Sequence, residues 1–158
     1  MNEDAQNGLP PGWASATLAD VVDILDKLRV PVNKQARSTR TGTIPYYGAT
    51  GQVGWIDDYL FDEELILLGE DGAPFLDPLK PKAYFVRGKC WVNNRAHVLS
   101  GRQGLSNQFL MYQLNGVDYR GFVSGTTRLK LPQASMRSIP LTIAPYSEQL
   151  RVVAVIER

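Results

Sequence analysis

One cysteine and one histidine are all that the 158 residues offer as thiolate or imidazole chemistry. Cys90 has no partner for an internal disulfide and reads as a small buried residue in a reducing cytosol. His97 and Cys90 are too few for a His/Cys zinc site, and nothing near His97 in sequence suggests a nucleophile–histidine–acid centre. No apolar run approaches the ~18 residues of a membrane span. The opening Met-Asn-Glu-Asp-Ala-Gln-Asn is polar and acidic, unlike a signal peptide. The glycines at 48, 51 and 54 have neither dinucleotide-fingerprint spacing nor the Gly-Lys-Ser/Thr ending of a phosphate loop, so they read as a β-turn. The carboxylate pairs Asp57/Asp58 and Glu63/Glu64 are adjacent; on a strand they face opposite ways and make poor acid/base pairs. No motif for methyl transfer or nuclease metal binding is present. These absences favour a binding module over an enzyme, with no cofactor or metal bound by the chain itself.

What is present is a hydrophobic content of 44% in a chain of one-domain length. Seventeen Lys and Arg against sixteen Asp and Glu leave a net charge of +1, but the signs are blocked along the chain. From Lys27 to Ile56 the only charges are basic; from Asp57 to Asp77 they are only acidic; from Pro78 to Val117 they are basic again. Arg120, Arg128, Lys130 and Arg137 then follow with no acid before Glu148. Near-neutrality therefore predicts a positive face opposite an acidic one, the former suited to phosphates.

Residues 1–8 read as a disordered lead, 9–144 as one domain, and 145–158 as the start of a further helix. Trp13 suits a core anchor. Thr17 to Asp20 resembles a capping box, and Leu18, Val21, Val22, Leu25 and Leu28 predict a short amphipathic helix that Pro31 stops. Residues 32–43 read as a polar loop. Residues 44–56 read as two strands around a Gly-rich turn, with further strands at 64–68, 83–86, 90–92 and 96–99. Arg87-Gly88-Lys89 reads as a hairpin turn between two of these strands. Residues 108–114 read as a helix, and 129–131 and 139–143 as the last strands. Ser147 is a plausible N-cap for the final helix, with Glu148 at its positive end. The fold class is mixed α+β, with short, mostly antiparallel strands and a few short helices.

Three polar, basic groups suit nucleic acid. The first is Lys34, Arg37, Arg40 and Thr41 with Tyr46, Tyr47 and Thr50 in the following turn. The second is Asn93, Asn94 and Arg95, continuing to Arg102 and Gln103; the third is Thr126, Thr127, Arg128 and Lys130. Lys and Arg neutralise phosphates, Arg also matches guanine O6 and N7, and Asn matches adenine. Asn93 and Asn94 also suit a turn backbone, and one of the two tyrosines suits the core. Arg40, Arg95, Arg102 and Arg128 have no acid nearby in sequence and are expected to share one surface, away from Asp57 to Glu64.

Leu9-Pro10-Pro11-Gly12-Trp13 resembles the opening of target-recognition domains in type I restriction–modification specificity (S) subunits. Pro45-Tyr46-Tyr47-Gly48-Ala49, Asp71-Gly72-Ala73, Val92-Asn93-Asn94-Arg95-Ala96-His97-Val98-Leu99, Ser124-Gly125-Thr126-Thr127 and Glu148-Gln149 follow in the same order. Arg95 stands where many relatives have His. The resemblance implies a cytoplasmic, non-catalytic domain that reads one half of a bipartite double-stranded DNA site and is followed by a conserved spacer helix. It implies modification subunits carrying S-adenosylmethionine and a restriction subunit using ATP and Mg as partners. The Met1 start suggests the N-terminal of two such domains. Two alternatives are a cytosolic carbohydrate-binding β module using Tyr46, Tyr47, Trp55 and Tyr59, and the recognition domain of a fused methyltransferase–nuclease. The bases read do not follow from the side chains.

Overall fold

A computed structural model describes residues 8–158; the lead expected at 1–8 lies almost wholly outside them. Leu65–Gly69 forms β6, the most buried strand of the chain. Its run Leu-Ile-Leu-Leu does not alternate with polar residues because both faces are covered, as the burial of continuous apolar strands requires. Ile66 and Leu68 face one core with Leu99, Phe109, Leu110 and Leu114. Leu65 and Leu67 face another with Val86 and Val98 and with Phe61, Cys90 and Val92. β6 is flanked antiparallel by β7 (Ala83–Val86) and β9 (Ala96–Gly101), and β2 (Val22–Ile24) completes a four-stranded sheet in the order β2-β9-β6-β7.

The second four-stranded sheet has the order β4-β3-β8-β5. It comprises β3 (Ile44–Tyr47), β4 (Gln52–Ile56), β5 (Phe61–Asp62) and β8 (Lys89–Val92). β3 and β8 run parallel, and the other pairings are antiparallel. Alternation along β8 sends Cys90 and Val92 into the core shared with β6, while Trp91 faces a third cluster with Tyr46 and Ile56. The chain segment 30–32 crosses over that cluster. The Trp91 indole donates to the Val30 carbonyl at 2.7 Å, and the Tyr46 hydroxyl donates to the Val32 carbonyl at 2.9 Å. β1 (Ala14–Thr17) pairs antiparallel with β10 (Pro140–Ile143).

The fold class is the expected one, but several local expectations are corrected. The Thr17/Asp20 box forms, with the Thr17 amide and hydroxyl both donating to Asp20 Oδ2, yet α1 covers only Leu18–Val21. Val22 to Ile24 instead extend along β9, and a 3-10 turn follows at Asp26–Leu28. β-branched Val22 and Ile24 lose little by leaving a helix, and the ladder to β9 outweighs the local pattern. The polar loop at 32–43 contains α2 (Lys34–Arg37), started by the Asn33 side chain accepting from the Ala36 amide at 2.8 Å. Arg87 and Gly88 do not join a hairpin. Gly88 has the positive φ of a tight turn (77°), but β7 pairs with β6 and β8 with β3 and β5, so the chain changes sheets there. At 129–131 no strand forms: only Lys130 is bridged, to Asp71 and Ser124, and α4 (Gln133–Arg137) follows.

α3 (Asn107–Asn115) lies where a helix was expected and covers the first core. The final helix, α5 (Tyr146–Ile156), starts one residue earlier than its expected cap: Pro145, not Ser147, holds the N-cap position, and its carbonyl accepts from the Glu148 and Gln149 amides. Two side chains fasten α5 to the domain. The Trp13 indole donates to Glu148 Oε2 at 2.8 Å. Fully buried Gln149 accepts from the Ser106 amide at 2.8 Å and donates to the Gly104 and Ala144 carbonyls at 2.9 Å each.

Candidate nucleic-acid interface

Four loops converge beside the sheet β4-β3-β8-β5. The β3–β4 turn closes through the Gly48 amide on the Gly51 carbonyl, and the Tyr84 hydroxyl donates to the Gly48 carbonyl at 2.6 Å. Burial, with Tyr47 and Cys90 nearby, pushes the Tyr84 phenol well above its ordinary range, so it stays a donor. The turn after β8 is anchored by the Asn93 amide on the Tyr47 carbonyl, and the Asn93 side chain accepts from the Arg95 amide at 2.8 Å. The Arg95 carbonyl then accepts from the Glu70 and Asp71 amides. Finally, Gly72 donates to the Leu129 carbonyl and Leu131 to the Glu70 carbonyl, while Ser124 and Lys130 exchange backbone bonds. Each loop is thus tied to the next by main-chain hydrogen bonds.

Between them lies an open groove of about 1020 Å³. Of the residues expected to read nucleic acid, Lys34, Arg37, Thr50, Asn93, Asn94, Arg95, Thr127 and Arg128 line it, and Tyr46 reaches it from below. Their distances in sequence are large, and the loop ties bring them together. Asp71 and Asp77 line the same groove.

The two tyrosines are largely packed away, and the other expected residues lie elsewhere. Tyr46 is 1% exposed and is a core residue, and Tyr47 is half-buried against Tyr84. Arg102 and Gln103 follow β9 near β2, where the Arg102 side chain donates to Asp23 Oδ1 at 3.1 Å. Thr41, Thr126 and Lys130 are exposed but outside the groove lining.

The expected separation of charge into two faces is corrected. Arg40, which was to lie away from Asp57, is ion-paired with it at 2.9 Å and packs over the Trp91 ring. Arg128 pairs with Asp71, Arg29 with Glu70, Arg87 with Glu64 and Lys80 with Asp77. Five of the eight acids from Asp57 to Asp77 thus face basic residues as ion pairs. Arg37 is held too: it donates to the Val32 carbonyl at 2.7 Å and stacks on Tyr46. Among the described residues, Lys34 and Arg95 are the groove cations whose side chains have no such partner.

A buried network behind the groove had no clear signal in the sequence. His97 is fully buried; its Nδ1 lies 2.6 Å from Asp26 Oδ2 and its Nε2 2.7 Å from the Leu131 carbonyl. Asp26 also accepts from the Val98 amide and the Gln133 side chain. Burial pushes the Asp26 carboxyl up, but the hydrogen bond and charge of His97, with the Val98 and Gln133 donors, more than offset it and hold it below its ordinary value. A carboxylate on one side and a carbonyl on the other leave the ring donating from both nitrogens. Arg29 completes the cluster, reaching Glu70 Oε2 at 2.5 Å and the Ala96 carbonyl at 2.9 Å. The network pins Leu131, and with it the 124–131 segment carrying Arg128, to β9. No group of three or more metal-ligating side chains occurs among the described residues.

The fold and groove define an α+β domain that presents a fixed, polar, cation-bearing surface made of loops. Residues 10–158 match the family model of the type I restriction modification DNA specificity domain, and the chain belongs to that family. It is 34% identical over 140 residues to a Haemophilus influenzae protein named as a type I restriction enzyme specificity subunit, S.HindORF215P, covering 89% of this chain and 35% of that one. Two solved structures share the fold. One is the type I restriction–modification S subunit from M. genitalium (TM-score 0.71, 14% identity, 92% of this chain and 38% of that one). The other is the HsdS subunit from Thermoanaerobacter tengcongensis (TM-score 0.63, 19% identity, 94% and 37%). The chain spans a little over a third of the length of these relatives.

Proposed function

We propose that the groove reads double-stranded DNA and recognises one half of a bipartite target, as the specificity component of a type I restriction–modification complex. The observation that carries this reading is the convergence of Lys34, Arg95, Arg128, Asn93, Asn94 and Thr127 in one groove of a chain of this family. Lys34 and Arg95 supply cations for phosphates, while the amides, Thr127 and Arg128 supply directional donors and acceptors for base edges. The chain itself is non-catalytic in this reading and acts in the cytoplasm. Methylation and cleavage belong to modification and restriction subunits, which would hold S-adenosylmethionine, ATP and Mg. α5, fastened through Gln149, is the element that carries the groove's position to them.

The test uses the full-length subunit assembled with its modification subunits and a duplex bearing the target mapped from genomic methylation. Arg95→Ala is expected to weaken binding about uniformly across sequences and to lower the log–log salt slope by about 0.9, one lost phosphate contact. Arg102→Ala and Arg40→Ala, outside the groove, are expected to stay within about 0.5 kcal/mol of the parent. Equal effects of Arg95→Ala and Arg102→Ala would refute the groove as the interface.

A further inference from the structure

Arg128 reaches the groove already engaged. Its Nε donates to Asp71 Oδ1 at 2.6 Å, and Asp71 lines the same groove. The guanidinium lies over Gly72, where a Cβ would stand 3.3 Å from Nε and 3.5 Å from Nη2. The main chain fixes this arrangement: Gly72 donates to the Leu129 carbonyl at 2.9 Å, and Asp71 bridges Lys130. On the other side, the Arg128 carbonyl packs so closely on Gly125 that a Cβ there would lie 2.4 Å from it. Arg128 is therefore oriented before any ligand arrives.

An acid in a phosphate-binding groove works against phosphate. Asp71 repels a phosphodiester and competes with it for Arg128. A carboxylate on Nε engages only that edge of the guanidinium and leaves the two Nη groups as a planar two-donor fork. That fork matches guanine O6 and N7, whereas a phosphate accepts a cation from any edge. The pair thus lowers the yield of a sequence-independent contact and preserves the yield of a base contact.

Resting on the reading of the groove as a DNA interface, we propose that Asp71 is a positioning residue for base readout by Arg128. It holds the fork toward a base edge and withholds the charge from phosphates, so it raises discrimination at the expense of total affinity.

The test again uses the full-length subunit assembled with its modification subunits. Affinity is measured on the methylation-mapped target duplex and on one whose half-site for this domain is scrambled. Asp71→Asn is expected to bind the scrambled duplex more tightly, so that the ratio of the two affinities falls about fivefold or more, the low end for a bidentate arginine. The salt dependence on the scrambled duplex is expected to steepen by about 0.9 in log–log slope, one added phosphate contact. Asp71→Glu is expected to keep the ratio. Arg128→Lys retains charge without the fork and is expected to lose the ratio with the slope unchanged; it carries the test if the Asn variant does not fold. A ratio within about twofold of the parent for either Asp71→Asn or Arg128→Lys overturns the proposal. So does a reduced ratio for Asp71→Asn with the scrambled-duplex affinity and slope unmoved, which marks a merely structural role. If Arg95→Ala and Arg128→Ala leave both duplexes unaffected, the DNA reading of the groove fails as well. If Arg95→Ala weakens binding while Asp71→Asn keeps the ratio, the role of Asp71 alone fails.

Discussion

Removing the Asp26 carboxylate exposes how the groove's back wall is held. Asp26 is 5% exposed and accepts from His97, the Val98 amide and Gln133. In Asp26→Ala the fully buried His97 ring loses the charge that balances its two N–H donors, and the Val98 amide is orphaned. Breaking a buried pair from one side costs about 3–5 kcal/mol. For a chain of this size each kcal/mol lowers the melting temperature by about 2–4 °C, so the expected drop is about 6–20 °C. Asp26→Asn is milder for a specific reason. Its oxygen still accepts from Val98, and its NH2 can donate to Nδ1 of a ring protonated only at Nε2, which keeps its bond to Leu131. Gln133 alone loses an acceptor, at a cost of about 1–2 kcal/mol. Thermal unfolding followed by circular dichroism separates the two variants. Because the folded carboxyl lies below its ordinary 3.8, its stabilising contribution is complete above that pH and is lost as pH falls through the lower folded value. The gap between the parent and Asp26→Asn is therefore expected to narrow in acid below pH 3.8. An Ala variant within about 1 kcal/mol of the parent, or Asn and Ala variants of equal stability, would refute the paired-donor account of His97.

Cys90 is 1% exposed, and burial, with Glu63 and Asp62 nearby, pushes its thiol up to about 11; a thiol reagent at pH 8 should label it only after unfolding. Gly125 has φ 104° and no room for a Cβ beside the Arg128 carbonyl, so Gly125→Ala should cost about 1–3 kcal/mol in thermal or denaturant unfolding. Tyr84→Phe removes the hydroxyl donor to the carbonyl of buried Gly48 and leaves it open, which should cost about 1 kcal/mol in the same assay without unfolding the domain.

The residues that were easy to place from sequence are those whose surroundings are local. Glycine-flanked β-turns, the α3 pattern and the Thr17/Asp20 cap each depend on neighbours within a few positions. The helix expected through 18–28 failed because Val22 to Ile24 answer to β9, some 75 residues away, and periodicity within one segment carries no trace of that ladder. The same holds for Arg87-Gly88: a tight turn was legible, but which sheet each flanking strand joins was not. At the groove, Arg95 and Arg128 were recognisable as cations amid polar loops. Their company was not. Arg40 and Arg102 looked equally unpartnered because Asp57 and Asp23 reach them only through the fold. Reading blocks of like charge as opposite faces assumed that blocks stay apart, whereas the short strands lay the acidic stretch directly against the basic ones.

The three hydrogen bonds of Gln149 give α5 a rotational phase as well as a location. A helix advances about 1.5 Å and turns about 100° per residue. With Gln149 held at Ser106, Gly104 and Ala144, every position from Leu150 onward has a set bearing around the helix axis relative to the groove. One residue inserted after Gln149 would swing the following side chains by about 100° while leaving the groove untouched. Four would bring them back to within about 40°, displaced by about 6 Å. The direction in which the groove points, as seen from anything gripping the helix, is thus counted in residues, and insertions of different length should alternate between registers that aim it correctly and registers that do not.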